Sequence, residues 1–253
     1  MVRLMDFVFA REEELSLLRD RLRRRKNLLL AGPAGVGKTL LMNTVIGEFS
    51  QFLYCSDSST IQVVFRSIAS ALWSREDQKL RASCGHAGLD ALKKKSGSNT
   101  KGIVMDALHA GNYCLVLDHV KGPSYAFAAG VREIVGWGGT PVVAIGRSVH
   151  MEDIGFLQGI FPDRTDRMEV RNFKPDVAAN FAREISTRLG LQAENLDEFL
   201  EQTITSTAGN PRGILAMVRM AATPKYRLDE RIKITPLYID YRLSTIGDSA
   251  RHS

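Results

Sequence analysis

Asn27-Leu-Leu-Leu-Ala31-Gly32-Pro33-Ala34-Gly35-Val36-Gly37-Lys38-Thr39-Leu40 is the stretch on which the reading of this chain turns. Residues 27–31 form a short apolar run that stops at a glycine, the pattern of a buried strand. Leu40, Leu41, Thr44 and Val45 then open a helix. Between the two, residues 32–39 fit GxxxxGK[ST], which chance alone produces in roughly one sequence in a hundred of this composition. Glycines in such a loop let backbone N–H groups turn inward around phosphate oxygens, and the helix N-terminus adds positive potential. Lys38 is then the residue that reaches the β- and γ-phosphates, and the Thr39 hydroxyl the one that ligates Mg²⁺.

Outward from this loop, strands alternate with helices. Residues 6–25 predict an amphipathic helix, with Leu15, Leu18 and Leu22 at helical spacing. Residues 23–26 crowd its C-terminal end with cations, where they suit the helix dipole. Phe52-Leu-Tyr-Cys55 predicts a second strand, residues 61–73 a helix, and residues 84–101, rich in Lys, Gly and Ser, a surface loop. A helix through residues 104–109 leads to a third strand at Tyr113-Cys-Leu-Val-Leu-Asp118. Pro141-Val-Val-Ala-Ile145 predicts a fourth strand and Arg167-Met-Glu-Val170 a fifth. This alternation implies a parallel sheet covered on both faces. Residues 176–222 read as wholly helical, with a weak strand pattern returning only at 232–234, so a second, smaller domain is expected from residue 173 onward.

Composition is that of a globular protein: 253 residues, 44% hydrophobic and 25% charged. A chain of this length buries enough surface to fold without disulfides or metal. No apolar run approaches the ~20 residues of a membrane span, so no membrane partner is expected. The opening 14 residues turn acidic before an apolar segment develops, which predicts no secretory leader. The three cysteines, Cys55, Cys84 and Cys114, are odd in number and far apart, and point to reduced thiols in a cytoplasm. Cys84 and His86 could be half of a metal site, but no second ligand pair follows them. The formal charge is +6, supplied mostly by 23 arginines. Such a surface permits a polyanionic partner and is equally that of an ordinary solvated basic protein.

A phosphate loop needs an acid on the far side of the metal. Asp118, closing the apolar strand Leu115-Val-Leu-Asp118, is the natural Walker B residue, so Thr39 and Asp118 are the expected Mg²⁺ ligands. Asp57, after the second strand, is the competing acid. His109, His150 and His252 have no convergent partners and are expected at the surface or in packing roles.

At this point the chain resembles the AAA+ and STAND branches of the P-loop ATPases, over about residues 6–222. Asp6-Phe-Val-Phe-Ala-Arg11-Glu-Glu-Glu-Leu15 is similar to their F-[VI]-G-R-E-x-E-L opening segment, with Ala10 where glycine is usual. The resemblance implies a three-layer αβα P-loop NTPase fold, with sheet order 5-1-4-3-2, over residues 1–172. A helical lid domain and tail follow at 173–253. It implies ATP as the nucleotide, held by Gly32, Pro33, Ala34, Gly35, Val36, Gly37, Lys38, Thr39 and Leu40. Phe7 and Val8 would lie beside adenine. Pro211 and Arg212 in Ala208-Gly-Asn-Pro-Arg212 resemble the GxP lid motif fused to a second-sensor arginine; the same residues are also an ordinary helix start. Arg147, just past the fourth strand, occupies the first-sensor position, where STAND proteins carry arginine. Arg164 and Arg167 precede the fifth strand, where AAA+ proteins place an arginine finger; ATP-dependent self-association follows if either serves as one.

The chain departs from the pattern at His119. Most AAA+ proteins have Glu after the Walker B Asp to orient the attacking water, and histidine is not the usual base for this reaction. The expected catalytic set is therefore Lys38, Asp118, His119 and Arg147, with Asp57 as an alternative base. The expected function is an ATP- and Mg²⁺-dependent ATPase that acts as a conformational switch on a protein partner. Two alternatives stand beside it. One is a DNA-binding helper ATPase of the transposition or replication-initiation type. The other is a scaffold gated by ATP without hydrolysis.

Overall fold

The computed structural model describes residues 8–85, 88–89, 97–137 and 139–250, and of residues 97–99 and 246–250 the backbone alone. The chain divides into two compact units, residues 1–33 with 38–170, and residues 34–37 with 171–253.

The first unit is built on five short parallel strands: β1 (Leu28–Ala31), β2 (Phe52–Cys55), β3 (Cys114–Leu117), β4 (Val142–Gly146) and β5 (Arg167–Glu169). Their order is β2-β3-β4-β1-β5, and every pairing is parallel. All residues of β1, β3 and β4 are buried, which is why each reads as a continuous apolar run rather than an alternation. The α-helices of this unit include, among the described residues, α1 (Glu12–Arg23), α2 (Lys38–Ile46), α3 (Ile61–Ser74), α4 (Gln78–Cys84), α5 (Gly97–Ala110), α6 (Tyr125–Gly136) and the short α7 (Met151–Ile154). Leu29, Leu53, Leu115, Val142 and Ala144 share a core with residues of α3, α5 and α6. Because side chains alternate across a strand, Leu28, Leu30, Phe52, Tyr54 and Val116 belong to the opposite face, where α1 packs on α2. The architecture is therefore the three-layer αβα sandwich, in the expected strand order.

Two boundaries differ from expectation. The first helix begins only at Glu12, because Ala10 adopts φ 48° and breaks the path into it. Of the expected loop, residues 97–101 are helical; before it lies α4, which Asp77 caps by accepting from the Leu80 N–H at 2.9 Å. Gly97–Lys101 begin α5 in spite of their Gly and Ser content, and Thr100 is buried. Lys93, Lys94 and Lys95 of the expected loop lie outside the described residues, as do Phe7, His86 and His252.

The second unit is helical: α8 (Pro175–Arg188), α9 (Leu196–Thr207), α10 (Pro211–Ala221) and α11 (Ile234–Ala250), with a two-stranded antiparallel β6 (Arg227–Leu228) and β7 (Arg231–Ile232). Its core includes Phe199, Ile214, Met217, Val218 and Leu237, all fully buried. Leu237 belongs to the apolar stretch 236–243, which α11 carries.

Candidate functional site

Parallel strands deliver their C-terminal ends to one edge of the sheet, and the chemistry-bearing residues of the first unit collect there. Lys38 opens α2 directly after the phosphate loop; its Nζ donates to the carbonyls of Gly32 (2.7 Å) and Pro33 (2.9 Å). Burial lowers the pKa of this ammonium; Arg147 lowers it further, while Asp118 and Asp153 oppose the shift. Arg147, Asp118 and Asp153 therefore all lie within electrostatic reach of Lys38. For Arg147 the reason is topological. β4 lies between β1 and β3, so the residue after its end falls between the phosphate loop and Asp118. Arg147 itself is exposed.

Asp118 is 1% exposed, and a carboxylate so buried needs donors. It has three. The Thr39 hydroxyl donates to Oδ2 at 3.0 Å, the Tyr54 phenol donates to the same oxygen, and the His119 N–H donates to Oδ1 at 2.7 Å. The Thr39–Asp118 separation also fits the metal. Two cis ligands of an octahedral Mg²⁺ with bonds of about 2.0–2.1 Å lie about 3 Å apart. Among the described residues no group of three His, Cys, Asp or Glu side chains could hold a metal alone.

His119 follows with φ 58°, in the left-handed region, and its ring is 67% exposed with Nε2 3.8 Å from Asp118 Oδ2. Asp57, the alternative base, accepts from the Ser59 N–H at 2.8 Å. That hydrogen bonding lowers its pKa, with His119 as a smaller, electrostatic contributor, so Asp57 and His119 share one neighbourhood. After Arg147 the chain is ordered by Ser148, whose hydroxyl donates to Asp153 at 2.6 Å and accepts from the His150 N–H at 3.0 Å. Of the two arginine-finger candidates, Arg167 donates to the Phe161 carbonyl from Nε (3.0 Å) and Nη2 (2.9 Å). Arg164 is exposed.

Val8 is half-buried and Phe7 lies outside the described residues. Ala10, where glycine is usual in the families the chain resembles, still takes the conformation glycine favours, φ 48°.

Residues 34–37 of the loop group with the helical unit, and Gly35 and Gly37 have φ +79° and +103°. Within that unit, Asn210 caps α10 by accepting from the Gly213 N–H at 3.2 Å and donates from Nδ2 to the Ala34 carbonyl at 2.9 Å. Pro211 occupies the first turn of α10, where its missing N–H costs nothing. The Arg212 N–H donates to the Gly35 carbonyl at 3.2 Å. Val36 is 2% exposed, while Ala34 is exposed.

Sequence reasoning missed Tyr54, Ser148 and Asp153. A tyrosine inside an apolar strand gives no signal of its own; only the register Tyr54↔Val116, two residues short of Asp118 on the same face, brings them together.

No protein-family model matches the sequence, and no curated protein is significantly similar to it. Solved structures are similar to it in fold. A Walker-type ATPase of Pyrococcus abyssi has a TM-score of 0.63 and 15% identity, covering 97% of this chain and 75% of its own. The Aeropyrum pernix Orc1 protein, solved in complex with DNA, has a TM-score of 0.61 and 17% identity, covering 97% and 68%. A STAND protein of Pyrococcus horikoshii with a tetratricopeptide repeat sensor has a TM-score of 0.55 and 14% identity over 94% of this chain; the chain spans 32% of that protein. At these identities the likeness is one of fold alone, the P-loop αβα sandwich that the resemblance to AAA+ and STAND ATPases implies. No helix among the described residues is long and apolar enough to cross a membrane.

Proposed function

We propose that this chain binds ATP with Mg²⁺ and hydrolyses it slowly, acting as a nucleotide-driven conformational switch on a macromolecular partner. The observation that carries the reading is the pairing of Thr39 with the buried Asp118 beside Lys38, at the mouth of a glycine-rich loop. A buried carboxylate, a hydroxyl and a lysine converging at a strand end are the groups that a triphosphate and its metal require. Mg²⁺ held by Thr39 and Asp118 would neutralise charge on the β- and γ-phosphates. Lys38, now bonded to loop carbonyls, would transfer its ammonium to phosphate oxygens. Arg147 would sense the γ-phosphate, and Arg212, whose N–H donates to the loop carbonyl of Gly35, would add to nucleotide affinity.

The test is calorimetric titration of ATP, with and without Mg²⁺, into wild type and Lys38→Ala, alongside a phosphate-release assay. Tight Mg²⁺-dependent binding lost in a folded Lys38→Ala supports the reading. Equal binding by the two proteins overturns it. Binding without any phosphate release would favour the scaffold reading, which is supported by the absence of a carboxylate at His119.

A further inference from the structure

The opposite edge of the sheet carries a second cationic feature. There α1 runs out into Arg23-Arg24-Arg25-Lys26-Asn27 just before β1 begins. β1 is four residues, about 13 Å, so this edge is well separated from the phosphate loop at its other end. Arg25, Lys26 and Arg132 line a cavity of about 540 Å³, within the range of ligand sites. Arg25 donates to the carbonyls of Asn112 (2.9 Å) and Tyr113 (3.2 Å), and Arg132 donates to the carbonyl of Phe156 (2.9 Å). These acceptors are neutral. They orient the two guanidinium groups, and among the described residues neither is paired with a carboxylate. Lys26 is exposed.

The charge exceeds what packing needs. The C-terminal ends of α1 and α6 face this region, each equivalent to about half a negative charge. Among the described residues the one carboxylate lining the cavity is that of Asp166, which already accepts from the Asp163 N–H at 3.2 Å. Three cations against these leave the cavity positive. Arg24, by contrast, is satisfied by Asp20 at 2.9 Å.

An aromatic neighbours the lining residues in the sequence. Trp137 lies between the lining residues Gly136 and Gly139 and is 77% exposed. A Cβ on either glycine would meet nothing within 4 Å, so the backbone beside the solvent-facing indole is open; φ +56° accounts for glycine at 139, and no contact requires it at 136. A cationic cleft with an open backbone wall and an exposed indole is the chemistry of single-stranded nucleic acid, in which phosphates track the charge and an unpaired base stacks on the ring. In a duplex the base faces are already stacked on one another and out of the indole's reach.

We infer that this edge of the sheet binds single-stranded nucleic acid, with phosphates on Arg25, Lys26 and Arg132 and a base on Trp137. The inference does not depend on the ATPase reading. The test uses the full chain without nucleotide. Anisotropy of labelled dT20 and rU20 is followed between about 50 and 200 mM salt, together with tryptophan fluorescence; the two oligomers distinguish DNA from RNA as the source. Binding should weaken steeply with salt and quench the indole. Lys26→Glu with Arg132→Glu should lower affinity at least ~30-fold and flatten the salt slope by about 1.4. Lys26→Glu alone, which disturbs no backbone contact, should give a loss of at least about fivefold. Trp137→Ala should cost about tenfold, leave the slope unchanged and abolish the quenching. Arg66→Glu on α3 should change nothing. The inference is overturned if neither oligomer binds at the lowest salt, if Arg66→Glu weakens binding as much as Lys26→Glu, or if a duplex binds as tightly as dT20.

Discussion

The phenol of Tyr54 and the hydroxyl of Thr39 donate to the same oxygen of Asp118, so two neighbours orient the proposed metal ligand. Both the phenol and the carboxylate benefit. Desolvation and then the Asp118 hydrogen bond push the Tyr54 pKa up, keeping the donor protonated. Tyr54→Phe removes one of three donors to a buried charge and should destabilise the metal-free protein by about 1.5–3 kcal/mol. It also frees a lone pair of Asp118 Oδ2, so half-saturation of Mg²⁺ in the presence of ATP should fall about threefold. An unchanged melting temperature would show that the hydrogen bond contributes nothing.

Gly35 and Gly37 separate two reasons for glycine in one loop. A Cβ at Gly35 would lie 2.7 Å from Arg212 Cβ and 2.8 Å from Asn210 Oδ1, whereas one at Gly37 would meet nothing within 4 Å. Gly35→Ala should therefore cost about 2–3 kcal/mol through clash and backbone strain. Gly37→Ala should cost about 1–2 kcal/mol through strain alone. Urea denaturation of both variants gives the order, and a reversed order would contradict the packing of Asn210 and Arg212 on the loop.

Burial raises the Cys55 thiol from its ordinary value of 9.0 to about 12. The folded state therefore holds a proton that the unfolded state loses first. This stabilisation is complete below about pH 9 and is lost as pH rises from there toward about 12. Native protein at about pH 8.5 should resist alkylation at Cys55, and denaturant midpoints should fall between about pH 8.5 and 10.5. Rapid modification at the lower pH without unfolding would show an accessible thiolate.

His119 is the position at which the hydrolytic chemistry departs from the usual arrangement. With no carboxylate after Asp118, turnover of the isolated chain should be about 10⁻³–10⁻² s⁻¹, the range of unassisted switch GTPases. His119→Glu should raise it by introducing a water-orienting carboxylate, although φ 58° tolerates glycine better than any side chain. His119→Gly should accordingly stabilise the fold by about 1 kcal/mol. Asp57→Asn separates the two bases in a steady-state assay. A large loss makes Asp57 the working base, and fast turnover insensitive to both changes would place the attacking water elsewhere.

The sequence by itself determined the sheet and the phosphate loop, because both are local. β1 and β3 are continuous apolar runs, since strands buried on both faces admit no polar residue. The loop is spelled by glycine, lysine and threonine at fixed spacing, since the backbone must turn around phosphate. Asp118 was legible as an acid closing such a run. Tertiary structure alone decided what depends on strand order and register. Tyr54 meets Asp118 only because β2 pairs with β3 in a register that sets Tyr54 opposite Val116. Arg147 nears Lys38 only because β4 is inserted between β1 and β3, and Asp153 joins them through Ser148. Arg25 and Lys26 are far from Arg132 along the chain, and a cavity at the sheet's other edge brings them together. Residues 97–101 illustrate the reverse failure, since their composition favours a loop. They are helical because they begin the helix whose Val104, Ala107 and Leu108 are fully buried, and that burial outweighs weak local propensity.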